Sequence, residues 1–247
     1  MTETAAPEPS APAAGKGLSL PARIIGVLTS PRATYADVAA RPRWLGVLLF
    51  VILVGGAGTF VFLSTDVGKQ ALLEQQVRFM EGFGVKLNDV QYQRMEAGVA
   101  RAPYTGALGQ AISLPLIALI VAGIALGVFN AILGGDATFK QVYAIVAHSG
   151  VVITLAQLFG LPLAYARETM SSTTNLAVFL PFLDENSFPA RLLGSIDLFQ
   201  VWWIVSLSIG LGVLYRKRTG PIATTMIVIY VAIALIIAAI KTAVSGA

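Results

Sequence analysis

Along this chain the apolar positions run in long unbroken stretches, with neither the period of two of a half-buried strand nor the 3.6-residue striping of a surface helix. Five such windows recur: 44–63, 106–133, 142–163, 196–215 and 222–240. A bilayer core about 30 Å thick needs roughly 20 apolar residues in helical form. None of the windows contains Lys or Arg, and only the fourth holds an acid, Asp197. Backbone amides find no water in hydrocarbon, so each stretch must satisfy them internally. These runs are too long and too continuous for barrel strands, which alternate. The pattern predicts an all-α polytopic membrane protein: a five-helix transmembrane bundle over residues 44–240.

The segments between the windows have their own patterns. Residues 1–17, rich in Ala, Pro and Glu, offer little to bury and read as a disordered tail, not as a signal peptide. Residues 18–43 carry Ile24, Ile25, Leu28, Tyr35 and Val38 near helical spacing among Arg23, Arg32 and Asp37, and Pro31 divides them into two short amphipathic pieces. Such a segment suits either the headgroup layer or the cytoplasmic ends of the spans. Residues 65–105 read as an extracytoplasmic helical loop, two helices parted near Gly82 and Gly84, with Asn88 a candidate cap for the second. Residues 171–183 include a run, Asn175 to Pro181, too short to cross; an interfacial and a re-entrant placement both remain open.

Composition agrees with lipid as the main solvent. Of 247 residues 56% are hydrophobic and 12% charged, with a mean hydropathy of +0.76. The net charge of +4 comes from basic residues spread over the loops without interleaved aromatics, which argues against nucleic acid. Nine Lys and Arg fall on the side of the N-terminus and eight on the other, so position decides. Arg41 and Arg43 abut the first span, and Arg216, Lys217 and Arg218 occupy a very short connection, whereas the 65–105 loop dilutes its cations with five acids. The positive-inside rule then sets the N-terminus in the cytoplasm and the C-terminus outside.

Chemistry within the spans is sparse. There is no cysteine and one histidine, so thiolate sites and paired-histidine metal sites are excluded, and no phosphate-cradling glycine loop or nucleophile elbow is present. No cofactor is indicated and an enzyme is not expected. The candidate intramembrane polar sites are Asp197, near the outer interface with Gln157 or Arg167 as prospective partners, and Asn130 and His148, near the inner ends of the second and third spans and able to bond across helices. Gly123 and Gly127 form a GxxxG pair, and Gly55 and Gly210 lie among other small residues; all four are candidate helix-packing positions.

Three segments resemble bacterial Yip1-domain proteins. RIIGVLTSPRATYADVAARPRWLGVLL is similar to that family's approach to its first span. FNAILGGDATFKQVYAIVAHS resembles the junction of its second and third spans, and SIDLFQVWWIVSLSIGLG its fourth. The resemblance implies five transmembrane helices with a cytoplasmic N-terminus. Eukaryotic relatives associate with small prenylated GTPases in vesicle transport, but the second span here has Gly123 to Gly127 in place of their Tyr-Leu-Thr-Gly type of motif. Rab-type GTPase binding is therefore not carried over. The leading expectation is a non-enzymatic scaffold or adaptor of the inner membrane, in contact with the bilayer and with other membrane proteins or itself. A small-solute or ion transporter using the polar residues is the alternative.

Overall fold

The computed structural model describes residues 17–184 and 187–245; the reading of a disordered tail falls, but for Gly17, outside them. Among the described residues ten α-helices follow in order: α1 Leu20–Thr29, α2 Pro31–Ala40, α3 Leu45–Ser64, α4 Asp66–Gly82, α5 Asp89–Val99, α6 Ala102–Leu126, α7 Phe139–Ala166, α8 Phe188–Gly194, α9 Leu198–Leu214 and α10 Thr219–Ser245. The described residues contain no sheet, only an isolated antiparallel bridge between Asn175 and Asp197. The chain is a polytopic, all-α membrane protein.

Among the described residues four helices are long and apolar enough to cross a bilayer: α3, α6 with its π-helical continuation to Ile132, α7 and α10. The fifth apolar helix, α9, has 17 residues, about 25 Å at 1.5 Å per residue and at the short end for a span. They alternate in direction. One end of the bundle gathers the starts of α3, α7 and α10 with the ends of α6 and α9, and there lie Arg41, Arg43, Lys140 and Arg216 to Arg218. We call it the basic end. Trp44 meets Tyr143 edge-on at 5.1 Å there, and Phe129 stacks on Tyr215 at 4.6 Å.

The helices divide the apolar surface unequally. Half of the α7 span is buried against 11% of that of α10, so α7 is the central post and α10 a lipid-facing staff. Ile117, Ile120 and Ile124 on α6 and Val228, Ile233 and Ile236 on α10 are exposed accordingly. In water such a surface would be an aggregation patch; in lipid it is the normal outer face. Because hydrocarbon contributes no drive to bring helices together, the inner faces must pack closely. Val142, Ile145 and Val152 of α7, Val47 of α3 and Leu207 of α9 are all fully enclosed.

The segment before the first span is not a free interfacial helix. Ser19 caps α1, and Pro31 at the first turn of α2 forces the break between the two. The helices fold back as an antiparallel hairpin: Leu18 meets Asp37, Arg23 meets Asp37 and Arg41, and Gly26 abuts Thr34. Of the two placements the sequence allowed, packing against the spans is realised. α1 lies on α7, and α2 lies between α7 and α9. Gln141 at the start of α7 donates to Ala39 O, while Tyr35, one turn earlier in α2, lies deeper, among Ile145, Ser206 and Gly210. The hairpin thus runs from the basic end into the bundle.

At the far end, α4 and α5 form the excursion between the first two spans. Asn88 accepts from Gln91 N at 2.8 Å, and the Gln91 side chain accepts from Asn88 N at 3.0 Å, a reciprocal cap for α5.

Candidate functional site

The polar residues that the sequence nominates go to three places. Asp197 is the N-cap of α9. Its Oδ1 accepts from the amides of Phe199 at 2.8 Å and Gln200 at 3.1 Å, two of the donors that a helix start leaves unpaired. Its Oδ2 accepts from the hydroxyls of Ser172 at 2.5 Å and Thr174 at 2.6 Å. The backbone repeats the connection: Leu176 N donates to Ile196 O and Leu198 N to Thr174 O, while Asp197 N donates to Tyr230 Oη, which donates to Ser195 O. One residue therefore ties three parts together: its carboxylate joins the 172–176 loop to the start of α9, and its backbone N–H reaches the middle of α10. Gln157 and Arg167 do not bond to it. The cap geometry turns the carboxylate back over its own helix, where the loop hydroxyls reach it first.

Beside this knot lies a cavity of about 500 Å³, lined by Phe62, Gln157, Thr174, Asp197, Gln200 and Tyr230 among others. Gln157 also reaches α3: its Oε1 and Gln110 Nε2 each lie 2.5 Å from where a Cβ on Gly55 would be. Thr59 donates to Gln110 Oε1 at 2.8 Å. The sequence reading overlooked Gln110, although a glutamine inside an apolar window was the available signal.

His148 and Asn130 do not meet. His148 is fully buried on α7, its Nδ1 2.7 Å from Ala144 O. A carbonyl can only accept, so that nitrogen carries a proton, and Nε2 is left without a partner. Asn130 lies in the π-helical turn Gly127–Ile132, where its Nδ2 donates to Ala137 O at 2.8 Å and pins the following loop. That turn displaces the end of α6 by one residue relative to an α-helix; it spends the Asn130 Nδ2 locally, while Oδ1 stays buried without a partner.

The third place is the hairpin, which the sequence reading left out of its polar candidates. Arg23 is 2% exposed. Its Nε donates to Asp37 Oδ2 at 2.9 Å, its Nη2 lies 2.7 Å from the same oxygen, and it also donates to Arg41 O at 3.0 Å. Arg41 Nη1 donates to Asp37 Oδ1 at 2.9 Å. Burial alone would push the Asp37 carboxyl up. The bonds from Arg23, the Leu18 amide and Arg41, with the Arg23 charge, outweigh it and hold the group below its ordinary range. Tyr35, wholly buried, shares a 2.7 Å hydrogen bond with Ser206 of α9. The signal available was an acid four residues before Arg41, facing Arg23 across a proline break.

The small residues divide by use. A Cβ on Gly210 would run into Ile145 and the Tyr35 ring, and one on Gly55 into Gln110 and Gln157; both glycines admit a neighbour. Gly123 and Gly127 meet nothing within 4 Å. Within this chain the GxxxG pair does no packing, because it lies on the outward side of α6, next to exposed Ile120 and Ile124.

Comparison with known proteins bears on this architecture. A curated relative, "Membrane protein YknW" of Bacillus subtilis, is 27% identical over 204 residues, covering 81% of this chain and 79% of its own. No solved structure matches. The family described as Yip1 domain matches residues 25–240, which takes in the second half of α1, α2 and all five apolar helices, and the chain accordingly belongs to the Yip1 domain family.

Proposed function

We propose that this Yip1-domain protein is a non-enzymatic scaffold or adaptor of the inner membrane, with its N-terminus in the cytoplasm and its C-terminus outside. The observation that carries the reading is the saturation of Asp197: both oxygens are occupied by four donors of its own chain. An acid serving as an ion relay needs a free oxygen; this one works as a clasp. The Arg23–Asp37 pair is spent likewise, on seating the hairpin. Collecting Arg41, Arg43 and Arg216 to Arg218 at one end supports the orientation. Affinity capture of the full chain in mild detergent tests the role, and the absence of any reproducible protein or lipid partner would count against it. A periplasm-only reporter fused to the C-terminus tests the topology; a silent fusion overturns it.

A transporter is the second reading, and the cavity of about 500 Å³ beside Asp197 and Gln157 is what favours it. Solute flux in proteoliposomes that disappears in Asp197→Asn would replace the scaffold reading.

A further inference from the structure

A second cavity, of about 440 Å³, opens at the basic end between the α6–α7 connection and the α9–α10 connection. Gly135, Asp136, Gln141, Tyr215, Arg216 and Lys217 are among its walls. One wall is set by the π turn. Gly135 N donates to Phe129 O at 2.8 Å, and Gly134 takes a φ of +69°, the left-handed conformation that glycine enters without cost. A Cβ on Gly135 would lie 2.7 Å from the Tyr215 ring and 2.8 Å from Phe129 O, so only glycine lets this loop close on the tyrosine.

The opposite wall is the end of α9. Lys217 N donates to Gly212 O at 2.9 Å, closing the helix through a left-handed residue. That residue is normally glycine, and here it is Arg216, with a φ of 53°. An L side chain adopts this conformation only under strain, and such strain points to use of the side chain. Arg216, Lys217 and Asp136 are exposed and form no ion pair with one another or with any other residue described. Tyr215 is 9% exposed, and its buried hydroxyl has no hydrogen-bond partner. The cavity thus presents two unpaired cations and one unpaired anion beside the Tyr215 side chain. Just outside it the chain exposes Val128, Ile132 and Leu133, the last also a wall residue.

We propose that this cavity binds the headgroup of a zwitterionic phospholipid, with the phosphate on Arg216 and Lys217 and the headgroup ammonium on Asp136. The chemistry selects the ligand. Adjacent arginine and lysine side chains suit a phosphate ester. Asp136 repels a purely anionic group and favours one carrying its own cation. The bare apolar strip at Val128, Ile132 and Leu133 gives acyl chains a surface that free phosphate would not need. A primary ammonium, which donates hydrogen bonds to a carboxylate, fits better than a quaternary one.

The test is lipid titration of the delipidated full chain, read by native mass spectrometry, with phosphatidylethanolamine, phosphatidylcholine, phosphatidylglycerol and inorganic phosphate as separate probes. Phosphatidylethanolamine is expected to bind about tenfold more tightly than phosphatidylglycerol. Arg216→Gln with Lys217→Gln should lower its affinity about tenfold, and Asp136→Asn should abolish the preference over phosphatidylglycerol. Asp136 is exposed, so its variant leaves a readout if the double variant fails to fold. Equal binding of the three lipids by the native chain, unchanged binding in the variants, or inorganic phosphate competing at the same concentration as the lipid would each overturn the proposal.

Discussion

Replacing Asp37 by asparagine would remove the one carboxylate, among the described residues, bonded to Arg23, a guanidinium whose side chain is 3% exposed. The shape of the side chain is kept, so the change isolates charge. One hydrogen bond and a close ion-pair contact from Arg23, one bond from Arg41 and one from the Leu18 amide converge on the Asp37 oxygens. Removing one partner of a buried pair costs about 3–5 kcal/mol, because the other charge stays behind uncompensated. The Asp37 side chain is itself 13% exposed, so the lower part of that range applies, about 3 kcal/mol. For a chain of this size that is a fall in Tm of roughly 6–12 °C. Thermal unfolding of the purified protein in detergent measures it, and proteolysis within residues 17–43 reports whether the hairpin has left its seat. Arg23→Met with Asp37→Leu removes both charges at similar volume and should recover most of the loss. The native pair also predicts a direction with pH. A carboxyl held below its unfolded value of about 3.9 contributes stability above that pH and loses it as pH falls through the folded value. Hairpin docking should therefore persist at pH 5 and weaken below about pH 4, while Asp37→Asn should show no such step. A Tm for Asp37→Asn within 2 °C of the native chain would refute this account of the hairpin.

Three further outcomes follow from the packing. Tyr35→Phe leaves Ser206 without its cross-helix partner and should cost about 1–3 kcal/mol, seen in the same melts; a double-mutant cycle with Ser206→Ala should return a coupling near 1 kcal/mol. Gly210→Ala places a methyl against Ile145 and the Tyr35 ring and should lower Tm, whereas Gly123→Ala meets nothing within 4 Å and should leave the monomer unchanged; a reversed order would show that α2 does not pack on α9. Asp197→Ala removes the cap of α9 and the acceptor of Ser172 and Thr174. It should cost about 1–2 kcal/mol and raise amide exchange in residues 172–176, and protection there equal to the native chain's would contradict the clasp.

What the sequence determines by itself here is the solvent and, through it, the scaffold. Uninterrupted apolar windows admit one class of solution in lipid, so the all-α membrane fold and the rough extent of the five apolar helices were legible, as was Asn88 as a cap, though not its reciprocal partner Gln91. Proline and capping residues act over one turn, which is why the break at Pro31 could be placed. The tertiary structure decided everything that depends on which residues face one another. An apolar window has no polar side to orient it, so the windows could not tell that α7 is buried and α10 is not, or that Gly210 meets a neighbour while Gly123 meets none. Nor could they show that Asp197 finds Ser172 and Thr174 instead of Gln157, since a cap aims its carboxylate by local backbone geometry and the loop that answers it arrives from 23 residues away. The hairpin is the largest such decision: the same amphipathic pattern serves a headgroup surface or a groove between helices, and it was settled by Tyr35 finding Ser206 171 residues further on, where burying a ring and pairing its hydroxyl favours docking over the interface.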